Sequence, residues 1–122
     1  MTKRILVVDD SPSVRRLICS TLRSAGYQPV EAVDGANALQ VVGTTRPDAV
    51  ITDQNMPNLD GLGFIRAFRQ RPESLGVPVI FVSTETDAAL KAKAREAGAI
   101  GWMAKPFDDR KLLSVVTKVL GG

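Results

Sequence analysis

The sequence predicts a doubly wound α/β domain on a parallel sheet, and three observations carry that prediction. Five short runs rich in apolar and β-branched residues alternate with five stretches of helical period. Three of those runs, residues 5–8, 49–52 and 77–82, are apolar throughout rather than alternating, as in strands covered on both faces. With 122 residues the chain has room for one such layered domain, large enough to bury roughly two-thirds of its unfolded surface.

Residues 5–8 make the first strand, closed by Asp9 and Asp10, and Ser11-Pro12-Ser13 supplies helix-start chemistry. The first helix runs on Val14, Leu17, Ile18, Thr21, Leu22 and Ala25 and stops at Gly26. Residues 28–32 make a weaker strand, and Pro29, which has no N–H to give a ladder, places it at a sheet edge. Asp34-Gly35 opens a second helix with Ala38, Leu39 and Val42 on one face, closed by residues 44–47. The third strand, residues 49–52, ends at Asp53, and after a polar turn a helix resumes on Leu62, Ile65 and Phe68 until Pro72 breaks it.

Residues 77–82 form the fourth strand and end at Ser83. Residues 87–97 are helical but alanine-rich, with Leu90 the only large apolar side chain, so this helix is expected to be the most mobile. Gly98 stops it, residues 100–104 make the last strand, and Lys105-Pro106 interrupts the ladder. The final helix, residues 108–120, has acidic residues in its first turn and Leu112, Leu113, Val116, Val119 and Leu120 along one side. Placing the three most apolar strands centrally yields the flavodoxin-like (βα)5 order 2-1-3-4-5, with the second and fifth strands as edges.

Composition excludes several classes. There is no histidine, hence no His-dependent triad, no zinc site with His ligands and no histidine phosphorelay within the chain. The lone Cys19 cannot form an internal disulfide and reads as a small hydrophobe beside a buried helix face. No apolar run approaches the ~20 residues of a membrane span, and the N-terminus turns acidic too soon for a signal peptide, so no membrane insertion and a cytoplasmic location are expected. A net charge of +3 spreads over Arg66, Arg69, Arg71, Lys91, Lys93 and Arg95 among predicted helices without aromatic interleaving, which argues against nucleic acid.

In such a sheet, ligands bind outside the carboxyl ends of the strands, at the switch point between the first and third. Both end in aspartate, so Asp9, Asp10 and Asp53 should converge. Two carboxylates ~4 Å apart repel by about 4 kcal/mol at an effective dielectric near 20, and a cation is expected among them. Oxygen ligands with waters suit Mg²⁺ or Mn²⁺. The expected ligands are Asp10, Asp53 and the Asn55 backbone carbonyl, with Asp9 acting through water. The fourth strand ends in a hydroxyl, Ser83, and the fifth in an ammonium, Lys105. Together these groups describe a site for a phosphoryl group on Asp53 as nucleophile, its oxygens contacted by metal, Ser83 and Lys105.

Residues 7–10 (VVDD), 52–61 (TDQNMPNLDG), 81–84 (FVST) and 104–107 (AKPF) carry a resemblance, over essentially the whole length, to the receiver domain of two-component response regulators. The resemblance implies that Asp53 accepts a phosphoryl group from a phosphohistidine on a sensor histidine kinase, with Mg²⁺ required, and that the Lys105-Pro106 bond is cis. A single domain spanning residues 1–122 without an output domain is similar to the stand-alone CheY-like chemotaxis regulators, which implies the flagellar motor switch or another downstream target as partner. It further implies a monomer that catalyses only its own phosphorylation and dephosphorylation. Asn55 and Glu85 stand where that group tunes the lifetime of the acyl phosphate. Trp102 stands where the family usually has Tyr or Phe, and reads either as the aromatic that turns inward with Ser83 on activation or as plain core packing. Thr84 replaces something smaller and would narrow phosphoryl access.

Three other readings compete. A stand-alone receiver outside chemotaxis could act as a phosphate sink or relay shuttle. An aspartate-nucleophile phosphatase would place a second aspartate two residues after the nucleophile, where this chain has Asn55. A flavin module would need donors, not carboxylates, after the first strand.

Overall fold

The computed structural model describes residues 2–85 and 87–121. Five strands, β1 (Arg4–Val8), β2 (Gln28–Ala32), β3 (Ala49–Asp53), β4 (Val79–Ser83) and β5 (Gly101–Ala104), form one parallel sheet in the order β2-β1-β3-β4-β5. Between and after them run α1 (Pro12–Ser24), α2 (Gly35–Thr45), α3 (Gly61–Arg69), α4 (Ala88–Ala97) and α5 (Asp109–Leu120). This is the flavodoxin-like fold that the pattern of apolar runs predicts. No helix among the described residues is long and apolar enough to cross a membrane.

Each strand ends where a side chain can start the next helix. Ser11, Asp34, Asp60, Asp87 and Asp108 occupy the five N-caps, and each accepts from a backbone N–H three residues on. Such caps contribute about 1 kcal/mol apiece and set where the chain turns back over the sheet.

Side-chain alternation along the strands sorts the core into two layers. Leu6, Val8, Val50, Val79 and Phe81 face α2, α3 and α4, where Val42, Phe64, Ile65 and Phe68 pack against them. Ile5, Val7, Ile51, Ile80, Val82 and Met103 face α1 and α5, meeting Ile18, Cys19, Leu22, Leu112 and Val116. Cys19 is free and buried, as its place on the helix predicts. α4 contributes only Ala94 as a buried residue, with Leu90 half-buried.

Several boundaries differ from the sequence reading. β4 begins at Val79, because Pro78 precedes it, its carbonyl accepting from the Val50 N–H. β5 begins at Gly101, and Ile100 is exposed rather than in the strand. A 3-10 turn, Pro72–Ser74, follows α3 where only a break was expected. Leu17, predicted on the buried stripe of α1, is 50% exposed, since the sheet receives the neighbouring Ile18, Cys19 and Leu22 instead.

Candidate functional site

Parallel register lines up the carboxyl ends of the strands. Val8 pairs with Thr52, Asp53 with Val82 and Ser83 with Ala104, so Asp9, Asp53, Ser83 and Lys105 emerge side by side at one rim. Asp9, Asp10 and Asp53 each offer a carboxylate oxygen, and these atoms all lie within 4.8 Å of one another. Asp9 and Asp53 are buried, whereas Asp10 is exposed.

The Lys105 ammonium is placed among them, 3.0 Å from Asp9 Oδ2 and 3.2 Å from Asp53 Oδ1. Its backbone N–H donates to the Ser83 carbonyl, and the Lys105-Pro106 peptide bond is cis. Asp9 Oδ1 accepts from the Ser11 N–H at 2.9 Å, and Asp53 Oδ1 from the Gln54 N–H at 2.9 Å. Asp53 Oδ2 has no hydrogen-bond partner among the described residues, and it is not a sealed orphan.

One ammonium does not balance this cluster. Burial first, and then the charge of Asp9, push the Asp53 carboxyl above its ordinary value, an effect Lys105 reduces without reversing. Burial also works against the Lys105 ammonium, yet the hydrogen bond and charge of Asp9 and the charge of Asp53 outweigh it and hold Lys105 above its ordinary value. Both directions describe a site short of positive charge. Its donor set, all oxygen, fits a hard divalent cation such as Mg²⁺ or Mn²⁺.

Ser83 is buried at the end of β4, and its Oγ accepts from the Glu85 N–H at 3.0 Å. Glu85, Thr84 and Asn55 are exposed around the rim. Thr84 lines an apolar groove of about 300 Å³ with Val14, Leu17, Lys105, Pro106 and Phe107, beside the carboxylates. Trp102 is not at the rim: half-buried on the α4 side of the sheet, it packs on Phe81 with ring centroids 5.3 Å apart, under the Lys91 ammonium.

Sequence reasoning missed the residues that hold the loop after β3. Gln54 spans it, Nε2 donating to Asp60 Oδ2 and Oε1 accepting from the Leu62 N–H. Asn58, at φ +67°, donates to Asp34 Oδ2 at 2.7 Å, and the Gly35 N–H donates to the Leu59 carbonyl, tying the loop to the start of α2. Gly61 lies so close to the Asp53 backbone that a Cβ there would clash with its carbonyl oxygen. The signal available in the sequence was Asp60-Gly61, a cap followed by a residue able to pack against backbone.

A parallel five-stranded sheet with paired aspartates, a central aspartate, a hydroxyl and a lysine on successive strand ends defines an acidic-pocket signalling domain. The chain belongs to the response regulator receiver domain family, whose model matches residues 5–117. It is 33% identical over 119 residues to the protein PilH of Pseudomonas aeruginosa, covering 98% of each chain. Among solved structures it is similar to the chemotaxis response regulator CheY4 of Vibrio cholerae, with a TM-score of 0.93, 36% identity and coverage of 98% of this chain and 99% of that one. It is also similar to the receiver domain of the sensor histidine kinase PA1611 from Pseudomonas aeruginosa PAO1, solved with a magnesium ion coordinated in its active-site cleft (TM-score 0.90, 29% identity, 100% of each chain). The chain spans about half the length, 52%, of the first curated relatives it matches, which are transcriptional regulators of the phosphate regulon.

Proposed function

We propose that this receiver domain is a phosphorylation-driven switch in which Asp53 takes a phosphoryl group from the phosphohistidine of a separate sensor histidine kinase. The observation that carries the reading is Lys105 shared between Asp9 and Asp53 at the strand ends. Asp53 Oδ2, without a protein partner among the described residues, is the oxygen that attacks phosphorus. The new O–P bond forms as the P–N bond breaks, and the electron pair leaves with the imidazole nitrogen. Lys105 follows the charge outward from the carboxylate to a phosphoryl oxygen. Ser83 Oγ already accepts from Glu85, which leaves its proton for a second phosphoryl oxygen.

Mg²⁺, when bound, supplies charge neutralisation for the incoming phosphoryl oxygens. Asp10, Asp53 and the Asn55 carbonyl would hold it directly and Asp9 through water. The magnesium ion coordinated in the active-site cleft of the similar PA1611 receiver supports a divalent cation at this site.

Asn55 and Glu85 border the phosphoryl position and would govern how fast water reaches it. Beyond its own phosphorylation and dephosphorylation the domain turns over no substrate. Movement of Ser83 toward the phosphoryl group would be relayed to Trp102 and to the face of α4, β5 and α5, which binds the target. Similarity to the chemotaxis response regulator CheY4 over nearly its full length supports a role in chemotaxis; in that reading the receiver is a stand-alone, monomeric, cytoplasmic protein whose target is the flagellar motor switch. The half-length matches to transcriptional regulators favour keeping a second reading, a receiver that serves a pathway outside chemotaxis.

Acetyl phosphate with Mg²⁺ tests the acceptor. Intact mass should rise by one phosphoryl group in the wild type and not in Asp53→Asn, and beryllofluoride should change Trp102 fluorescence only when Asp53 is present. Equal responses from the two proteins would overturn the reading. Pull-down with the beryllofluoride form then separates chemotaxis from other pathways.

A further inference from the structure

We infer that Arg15 is a positioning residue for the divalent-cation site, acting through the Asp9–Asp10 peptide; this rests on the proposed Mg²⁺-dependent phosphorylation. Arg15 sits in the second turn of α1. Its Nη1 donates to the Asp9 backbone carbonyl at 2.6 Å, while its Nε pairs with Glu31 Oε1 on β2 at 2.9 Å. Its side chain is only 14% exposed, although it is an arginine near the start of a helix.

The carbonyl it holds belongs to the peptide that joins the two aspartates. Rotation of that peptide plane changes the direction in which Asp10 leaves Asp9. Every other polar atom of Asp9 is already committed: its N–H donates to the Ala32 carbonyl, Oδ1 accepts from Ser11 and Oδ2 from Lys105. Arg15 occupies the remaining carbonyl, so the Asp9 end of the peptide is fixed on all sides and exposed Asp10 is presented from a rigid base. Supports of this kind around a metal ligand typically change affinity by about 10–100-fold.

Charge and geometry make opposite predictions here. A bare guanidinium near three carboxylates would repel a cation, and its loss would tighten binding. Arg15 is paired with Glu31, which cancels most of its field and leaves orientation as its contribution. A lysine is a poor replacement, because its donors share one nitrogen on a flexible stem, whereas the guanidinium presents Nε and Nη1 as separate donors in a fixed fork to the carboxylate and the carbonyl.

Mg²⁺ titration by calorimetry of the wild type, Arg15→Met, Arg15→Lys and Glu31→Gln, with metal-free thermal denaturation of each, tests this. The expected result is about tenfold weaker Mg²⁺ binding in Arg15→Met, little rescue by Arg15→Lys, and a smaller loss in Glu31→Gln, whose guanidinium keeps the carbonyl but loses its brace. Unchanged affinity in Arg15→Met with a lowered metal-free melting temperature would make Arg15 a plain stabiliser of α1 and overturn the inference; so would tighter binding, the mark of a repulsive charge. If Arg15→Met fails to fold, the Glu31→Gln and Arg15→Lys affinities decide, and wild-type affinity in both overturns it. A wild type that binds no Mg²⁺ overturns the underlying reading as well, a result distinct from the others.

Discussion

Lys105 Nζ stands 3.2 Å from Asp53 Oδ1 and 3.0 Å from Asp9 Oδ2, so that among the described residues Asp53 shares its cation partner with a second buried carboxylate. Replacing Lys105 by Met strands that pair. Removing one member of a buried ion pair costs about 3 kcal/mol or somewhat more, and urea denaturation of Lys105→Met in the absence of divalent ions should show a loss of that order. Mg²⁺ should restore part of it. The folded-state pKa of Lys105 is raised, so its stabilisation is complete below the ordinary lysine value and is lost as pH climbs through the raised one. The wild type should therefore weaken at strongly alkaline pH by more than the variant does.

Asp53→Asn should make the metal-free protein more stable at neutral pH. Folding raises the Asp53 pKa, chiefly through burial, so its favourable contribution is present below the ordinary aspartate value and is lost as pH rises through the raised one. At pH 7 the ionised carboxylate is thus a liability that asparagine lacks. Thermal denaturation should show a gain of a few degrees at pH 7 that shrinks on acidification. A variant less stable than wild type at pH 7 would contradict it.

Arg69 is a clamp whose loss should be felt at the end of α4. Its Nε and Nη2 both donate to the Gly98 carbonyl and its Nη1 to the Ser74 carbonyl, joining α3, α4 and the 3-10 turn. Hydrogen bonds from a charged donor contribute about 1.5–3 kcal/mol each and do not add fully, so Arg69→Met should cost about 3 kcal/mol in urea. Amide exchange should accelerate most around Gly98 and Ala99.

Cys19 should be inert in the folded protein. Burial first, and the charge of Glu31 second, push its thiol up to about 11. A thiol-disulfide reagent at pH 8 should leave it unmodified until the chain unfolds, when labelling becomes complete. Because the folded pKa is raised, the neutral thiol's contribution holds below its ordinary value and fades as pH passes about 11.

Much of this architecture was legible because its causes are local. Continuous apolar runs marked β1, β3 and β4 as central, Pro29 marked β2 as an edge, and Ser11, Asp34, Asp87 and Asp108 marked helix starts. The convergence of Asp9, Asp10 and Asp53 followed from strand order alone, since neighbouring strand ends must meet. What escaped depends on partners distant in the chain. Arg15 and Arg69 bond to backbone carbonyls, which carry no sequence label. Leu17 obeys the helical period but lies on the flank of the stripe, where Ile18, Cys19 and Leu22 take the places against the sheet and leave it exposed. Trp102 was read either as an aromatic that turns inward or as core packing, and its contacts with Phe81 and Lys91 became visible only with the packing of α4.

The clamp at Gly98 also governs geometry of motion. With its carboxyl end bolted to α3 by one guanidinium, and with Ala94 and Leu90 as its main apolar footholds, α4 is built like a lever on a fulcrum. A tilt about that anchor would leave Gly98 nearly still and carry the opposite end of the helix, at Ala88, through the widest arc.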